Sequence, residues 1–254
     1  MVAVRIIEPK VTPFEAARSQ GRASPSVGLP DCHRCKNTRF VEVPSQRAVK
    51  RCRCVLRYQN RKALAIIPTE HFGIPKLSRL QPRPDIHPSQ CDVIPLVKSQ
   101  PNSSYLLCGV NESGKSHIAW ALYRHAIVAR RRTIASSLNQ LLRQYRDWEL
   151  LSPDTRYFAS RERSKERPLV LPEDLVSFAK YTLFLDEFEK ANVTEFTCRM
   201  LFELLSAARD FGHQVILTSN KGWDDLCERW SQIDEVYGRS IMTRLRGCVL
   251  IEMF

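Results

Sequence analysis

The chain has 254 residues, 43% of them hydrophobic and 26% charged, a balance that excludes wholesale disorder. That length can bury a core without disulfide staples, as one large domain or one domain plus a small module. The formal charge is +12, and residues 1–80 hold 16 Lys/Arg against 5 Asp/Glu while residues 81–254 hold 23 against 22, so the basic excess belongs to the first third and points to a polyanion partner, most often nucleic acid.

Arg5 and Glu8 interrupt the N-terminal MVAVRIIEPK before an apolar core of signal-peptide length can form. No apolar run approaches the ~20 residues of a membrane-spanning helix. Of nine cysteines, Cys32, Cys35, Cys52 and Cys54 cluster; Cys91, Cys108, Cys198, Cys227 and Cys248 are scattered. Scattered single cysteines in an unexported chain read as reduced core residues. The expected compartment is the cytoplasm, with no membrane partner.

Residues 1–30 carry four prolines and little periodicity, which predicts an extended arm. In the next stretch Cys32-x-x-Cys35 is followed, after 16 residues, by Cys52-x-Cys54. Two chelating thiolate pairs suit tetrahedral zinc, and RFVEV and RAVKR between them read as a hairpin. The pattern is that of a zinc ribbon whose metal is structural, all four positions being filled by protein. Residues 56–67 read as a short basic helix ended before Pro68. Residues 74–102 hold six prolines, which argues against long helices and central strands. The expected domains are a basic arm and zinc module at 1–62, a Pro-rich linker at 63–102, and an ATPase domain at 103–254.

Beyond the linker, strands and helices alternate. SYLLCG at 104–109 reads as a strand, 116–129 as a helix, 132–136 as a strand, 138–148 as a helix and 152–168 as a charged loop. YTLFL at 181–185 reads as a buried strand, 195–210 as an amphipathic helix, 214–217 as a strand, 235–245 as a helix and 248–254 as a last strand. This alternation predicts an α/β fold: a parallel sheet covered by helices on both faces.

Residues 109–116, GVNESGKS, match the phosphate-binding pattern G-x-x-x-x-G-K-[ST]. Gly109 and Gly114 let the backbone curl so that N–H groups converge on phosphate oxygens. Lys115 would reach the β- and γ-phosphates of ATP, and the Ser116 hydroxyl would ligate Mg²⁺. Asn111, Ser113 and His117 complete the candidate nucleotide-binding set. YTLFLDE at 181–187 has the form of a Walker B strand. Asp186 would hold Mg²⁺ through water, and Glu187 would polarise the attacking water. QVILTSN ends in Thr218, Ser219 and Asn220, at the strand end where such sheets bind ligands; Asn220 could bond the attacking water or the γ-phosphate. In YGRSIMTRLRG, one of Arg239, Arg244 and Arg246 could serve as an arginine finger for a neighbouring subunit.

Together these motifs resemble the bacterial and phage DnaC-type helicase loaders and the related IstB transposition ATPases, which are AAA+ proteins. The resemblance covers roughly residues 65–254: GKSHIAWAL is similar to the family's GKTHLA stretch, and LTSN to its sensor-1 strand. DCHRCKNTRFVEV…KRCRC resembles the CxxC…CxC segment with which many DnaC-like proteins begin. The resemblance implies an AAA+ core without a helical lid and places Arg244 as the trans finger. It implies self-association at the ATP interface, a replicative DnaB-type helicase as partner, and single-stranded DNA as the cargo strand. For the DNA track, Arg130, Arg131, Arg132, Tyr157, Phe158, Arg161 and Arg163 are candidates. Two positions depart from the family: Glu112 stands where glycine is usual, and Asp186-Glu187 where Asp-Asp is frequent. The expected function is ATP-dependent loading of the helicase. The alternatives are an IstB-like ATPase partner of a transposase and a zinc-ribbon nucleic-acid adaptor that holds ATP as a structural ligand.

Overall fold

The computed structural model describes residues 5–6, 32, 34, 36, 40–43, 48–54, 64, 67, 76–162, 168, 170–176, 179–192, 194–232 and 235–254. The chain divides into two compact units, residues 7–68 and residues 1–6 with 69–254.

In the smaller unit, β2 (Phe40–Val43) pairs antiparallel with β3 (Ala48–Arg51), Phe40 opposite Arg51 and Val43 opposite Ala48. This is the hairpin expected between the two cysteine pairs. The short helix expected at 56–67 falls almost wholly outside the described residues, as does most of the arm.

The larger unit is built on a six-stranded sheet. Its strands are β1 (Arg5–Ile6), β4 (Tyr105–Gly109), β5 (Arg132–Ser137), β6 (Tyr181–Asp186), β7 (Gln214–Ser219) and β8 (Val249–Met253). Their order is β1-β5-β6-β7-β4-β8; β1 runs antiparallel on the edge and the other five are parallel. Strands buried on both faces read as mostly apolar runs: β4 does so throughout, β6 but for Thr182, and β7 between Gln214 and Thr218. On one face α2 (Lys115–Val128) packs, with Trp120 edge-on to Phe184 at 4.8 Å. On the other, Leu183, Leu185, Val215 and Leu217 meet α3 (Leu138–Glu149) and α5 (Glu195–Asp210) in the main apolar cluster. Helix α7 (Glu235–Leu245) packs on α5.

Two elements differ from the sequence expectation, and a third lies in a stretch to which none was assigned. The proline-dense stretch contains α1 (Gln90–Ser99), a ten-residue helix with Pro95 inside it. Val93, Ile94 and Val97 are buried along one side while Pro95 faces out, so burial outweighs the one backbone bond that proline removes. The supposed loop at 152–168 holds α4 (Pro153–Glu162). Its start is signalled by Ser152, whose Oγ accepts from Thr155 N at 3.2 Å, by Pro153 in the first turn and by Asp154 near the positive dipole end. Finally, α6 (Trp223–Ser231) begins with Asp224 and Asp225 and buries Leu226 and Trp230, four residues apart.

No helix among the described residues is long and apolar enough to cross a membrane.

Candidate nucleotide site

The carboxyl ends of β4, β6 and β7 converge on one cavity of about 180 Å³. Asn111, Lys115, Ser116, Asp186, Glu187, Glu189, Lys190, Thr218, Ser219 and Asn220 line it. Strand β7 lies between β4, which leads into the phosphate loop, and β6, which carries the carboxylates. That order places Asn220 between the loop and Asp186, although the three are far apart in sequence.

The loop takes its shape from backbone demands. Gly114 has φ +99° and Gly109 φ +153°, where L side chains are strained. A Cβ on Gly109 would stand 2.3 Å from the Met253 carbonyl oxygen, so β8 passes against the loop at glycine distance. Below the loop, Gln90 Nε2 donates to the Ser113 carbonyl at 2.8 Å, and Gln90 Oε1 accepts from Arg83 N at 3.0 Å. Gln90 therefore buttresses the turn from α1. Sequence reasoning missed it because only the fold brings the proline-dense stretch beneath the loop. Glu112, the departure from the family pattern, adopts φ +66° and is exposed.

Lys115 opens α2 and is buried; its ammonium donates to the Gly109 carbonyl at 2.7 Å and the Val110 carbonyl at 2.5 Å. Burial pulls its pKa below the ordinary lysine value, with the Glu189 and Asp186 carboxylates opposing the shift. Ser116 is exposed to the cavity, one residue into the helix whose N-terminus favours anions. Ser113 Oγ is buried with no partner among the described residues. His117, in the first turn, does not line the cavity; burial lowers its pKa.

Asp186 ends β6. Its Oδ1 accepts from the Thr218 hydroxyl and from Glu187 N at 3.1 Å. Burial nevertheless pushes the Asp186 carboxyl above the usual carboxylate range, and the charges of Glu187 and Glu189 add to the rise. Glu187 sits at φ +57°, a conformation uncommon outside glycine and concentrated at functional turns. Its side chain pairs with Lys190. Asn220 Nδ2 donates to Glu189 Oε1 at 2.7 Å. Glu189 and Lys190 were not singled out from sequence; they follow the expected Asp-Glu pair, and only their cavity-facing placement distinguishes them.

Arg244 lies outside this cavity. On α7, its Nε donates to Ser206 Oγ, its Nη1 to the Ser240 carbonyl at 3.2 Å, and its guanidinium stacks 3.9 Å from the Phe202 ring centroid. Of the candidate DNA contacts, Arg131 and Arg132 are held on Tyr181, at the start of β6 and so the opposite end from the phosphate loop. Tyr157 is exposed on α4. The side chains of Phe158 and Arg161, and Arg163, lie outside the described residues.

A strand order of 5-1-4-3-2 within the parallel part, a glycine-lysine loop after the first of these strands and a carboxylate after the third describe one architecture. The larger unit has an AAA+-like P-loop fold. The solved structure of DnaI shares this fold, with a TM-score of 0.52 at 16% identity over 71% of this chain and 91% of that one. The DnaC helicase loader gives a TM-score of 0.48 at 14% identity, over 70% of this chain and 96% of that one. AMPPCP-bound DnaA from Aquifex aeolicus gives 0.45 at 16% identity over 70% of this chain. The match spans about half of DnaA, 49% of its length. No protein-family model and no curated protein matches the chain.

Removal of the Asp186 charge tests the electrostatics of this cavity. A carboxyl whose pKa is raised on folding favours folding where it is protonated in both states. That contribution is lost as pH rises from the unfolded value through the folded one. At neutral pH without Mg²⁺, ionised Asp186 is therefore a cost. Asp186→Asn retains an acceptor for Thr218 and should raise the nucleotide-free unfolding midpoint by on the order of a few degrees. A lower midpoint at pH 7.5 that recovers in acid would contradict the sign.

Proposed function

We propose that this chain is an ATP-dependent loader of a replicative helicase onto single-stranded DNA. The observation that carries the ATPase half is the single cavity containing Lys115, Ser116, Asp186, Glu187 and Asn220. The loader half rests on the resemblance of GKSHIAWAL, LTSN and YGRSIMTRLRG to DnaC-type sequences, with the DnaI-like fold in support.

The residues fit Mg-ATP. The loop backbone and Lys115 hold the phosphates, and the α2 N-terminus adds its dipole. Ser116 and Asp186 are the oxygen donors that would hold Mg²⁺, a cation that favours hydroxyl, carboxylate and water oxygens and would neutralise phosphate charge there. Lys115 must exchange the Gly109 and Val110 carbonyls for phosphate oxygens. Glu187 must turn from Lys190 to accept a proton from the attacking water. Asn220 orients that water, and Arg244 is supplied to a neighbouring subunit's site.

A pull-down of the host's replicative helicase with the full chain tests the loader half. Capture that increases with ATP supports it. A chain that hydrolyses ATP but ignores the helicase, and instead binds a transposase encoded beside it, would overturn it in favour of the IstB-like reading.

Zinc belongs to the same proposal. The sulfurs of Cys32, Cys52 and Cys54 lie within 4.8 Å of one another, and Cys32 and Cys52 are 3.7 Å apart. Sulfurs at ~2.3 Å from a tetrahedral zinc stand about 3.8 Å apart, so this spacing fits the ion. Cys35, the fourth expected ligand, lies outside the described residues. Elemental analysis of native protein should give close to one zinc per chain, lost in Cys52→Ser/Cys54→Ser. A metal-free native preparation would remove zinc from the proposal.

A further inference from the structure

Glu189 is 6% exposed and lies on the single 3-10 turn Phe188–Lys190 after β6. One carboxylate oxygen accepts from Asn220 Nδ2 at 2.7 Å; the other, Oε2, is buried without a hydrogen-bond partner among the described residues. A buried carboxylate close to two others is costly unless it is paired or used. The turn does not need it for support. Phe188 stacks on Trp230 at 5.1 Å, Arg229 Nη2 donates to the Ala191 carbonyl at 2.8 Å, and Asn139 Nδ2 donates to the Lys190 carbonyl at 2.6 Å.

We propose that Glu189 is a positioning residue of the nucleotide site, which sets the orientation of the Asn220 amide. The two ends of an asparagine amide have nearly the same shape and opposite chemistry. An ionised carboxylate only accepts, so the amide nitrogen must face Glu189. The carbonyl oxygen of Asn220 is then the end left to accept a proton from water, and one amide proton remains for a phosphate oxygen. Without Glu189 the amide can invert, and half of its orientations present the wrong end. Glu189 thus acts on the reaction through Asn220, in a cavity both residues line. The inference rests on the cavity being a triphosphate site.

The test is a double-mutant cycle in the full chain with Glu189→Ala, Asn220→Ala and the pair. Glu189→Ala should lower kcat at least about 10-fold with KM for ATP within about 3-fold, and the double variant should be no worse than Asn220→Ala alone. Glu189→Gln, whose own amide donates as well as accepts and so lets the Asn220 amide invert, should show part of the same loss. A second readout needs no turnover: the affinity for a non-hydrolysable ATP analogue relative to ADP should fall in both single variants and no further in the double. Unchanged kcat and affinity ratio in Glu189→Ala, or losses that multiply in the double variant, overturn the proposal. Should Glu189→Ala fail to fold, Glu189→Gln against Asn220→Ala decides by the same ratio. A folded wild-type chain that binds no nucleotide fails the triphosphate reading itself, and this inference with it. A chain that binds nucleotide, with a ratio insensitive to Glu189, fails this inference alone.

Discussion

Lys115→Ala should reduce ATP hydrolysis to background and weaken nucleotide binding by about 100-fold. Charge-assisted hydrogen bonds contribute roughly 1.5–3 kcal/mol, and ~2.7 kcal/mol is a factor of 100. The cost is concentrated in this residue because its ammonium is buried among loop carbonyls, where screening by water is weak. The same burial has a second consequence. Removing the ammonium strips a donor from the Gly109 and Val110 carbonyls but also relieves the burial of its charge, so the nucleotide-free variant should change little in stability, by on the order of 1 kcal/mol. The two effects separate by measurement: thermal unfolding without nucleotide reports the second, and the upward shift on adding Mg-ATP, which should vanish, reports the first. Glu187→Gln is the contrasting variant. It leaves the phosphate contacts in place, so binding should persist while kcat falls by about 10²–10⁴. Fluorescent-nucleotide titration and phosphate release read the two quantities. An unchanged rate in both variants would sink the enzyme reading.

The glycine-lysine loop was legible in the sequence because its determinants are local. Gly109, Gly114, Lys115 and Ser116 lie within eight residues, and their spacing is itself the requirement of a backbone that must curl around an anion. Strand β6 was legible for a similar reason: YTLFL is apolar but for Thr182, whose hydroxyl donates to Gln214 Oε1, because both faces of β6 are covered, and the run stops where Asp186 meets the cavity. What escaped was set by long-range packing. Gln90 is polar, solitary and surrounded by prolines, and nothing in QCDVIPLVKS says that its amide will brace the Ser113 carbonyl 23 positions away. Glu189 looks like one more surface charge in DEFEK until Phe188 is seen under Trp230, which turns the next side chain back toward Asn220. Helix α4 escaped through a different error. Its capping signals at Ser152, Pro153 and Asp154 are present, but its charged composition reads as loop. The hairpin β2–β3 was visible as alternation between two cysteine pairs.

Arg244→Ala should have a large effect on hydrolysis beyond the contacts Arg244 makes within its own chain. Within its own chain the guanidinium is stacked on Phe202 and bonded to Ser206 and Ser240, so Arg244→Ala removes packing worth about 0.5–1 kcal/mol besides any role in catalysis. A finger supplied to a neighbouring subunit is worth far more, about 10³–10⁵ in kcat. Arg244→Ala should therefore keep nucleotide affinity within about 3-fold, unfold only slightly earlier, and lose at least about 10³ in hydrolysis. Arg244→Lys should rescue poorly, since an ammonium neither stacks as a plane nor presents a fork of donors. The decisive arm is complementation. In a heterologous interface each subunit offers its site to one neighbour and its finger to the other, so an equal mixture of Arg244→Ala and Lys115→Ala chains makes about a quarter of the interfaces complete. Activity should reappear in that mixture although each variant alone is inactive. Failure at every ratio, with both variants folded and the interface shown to form, would confine Arg244 to holding α7 on α5. The self-association proposed for the ATP interface would then need another residue to complete the site.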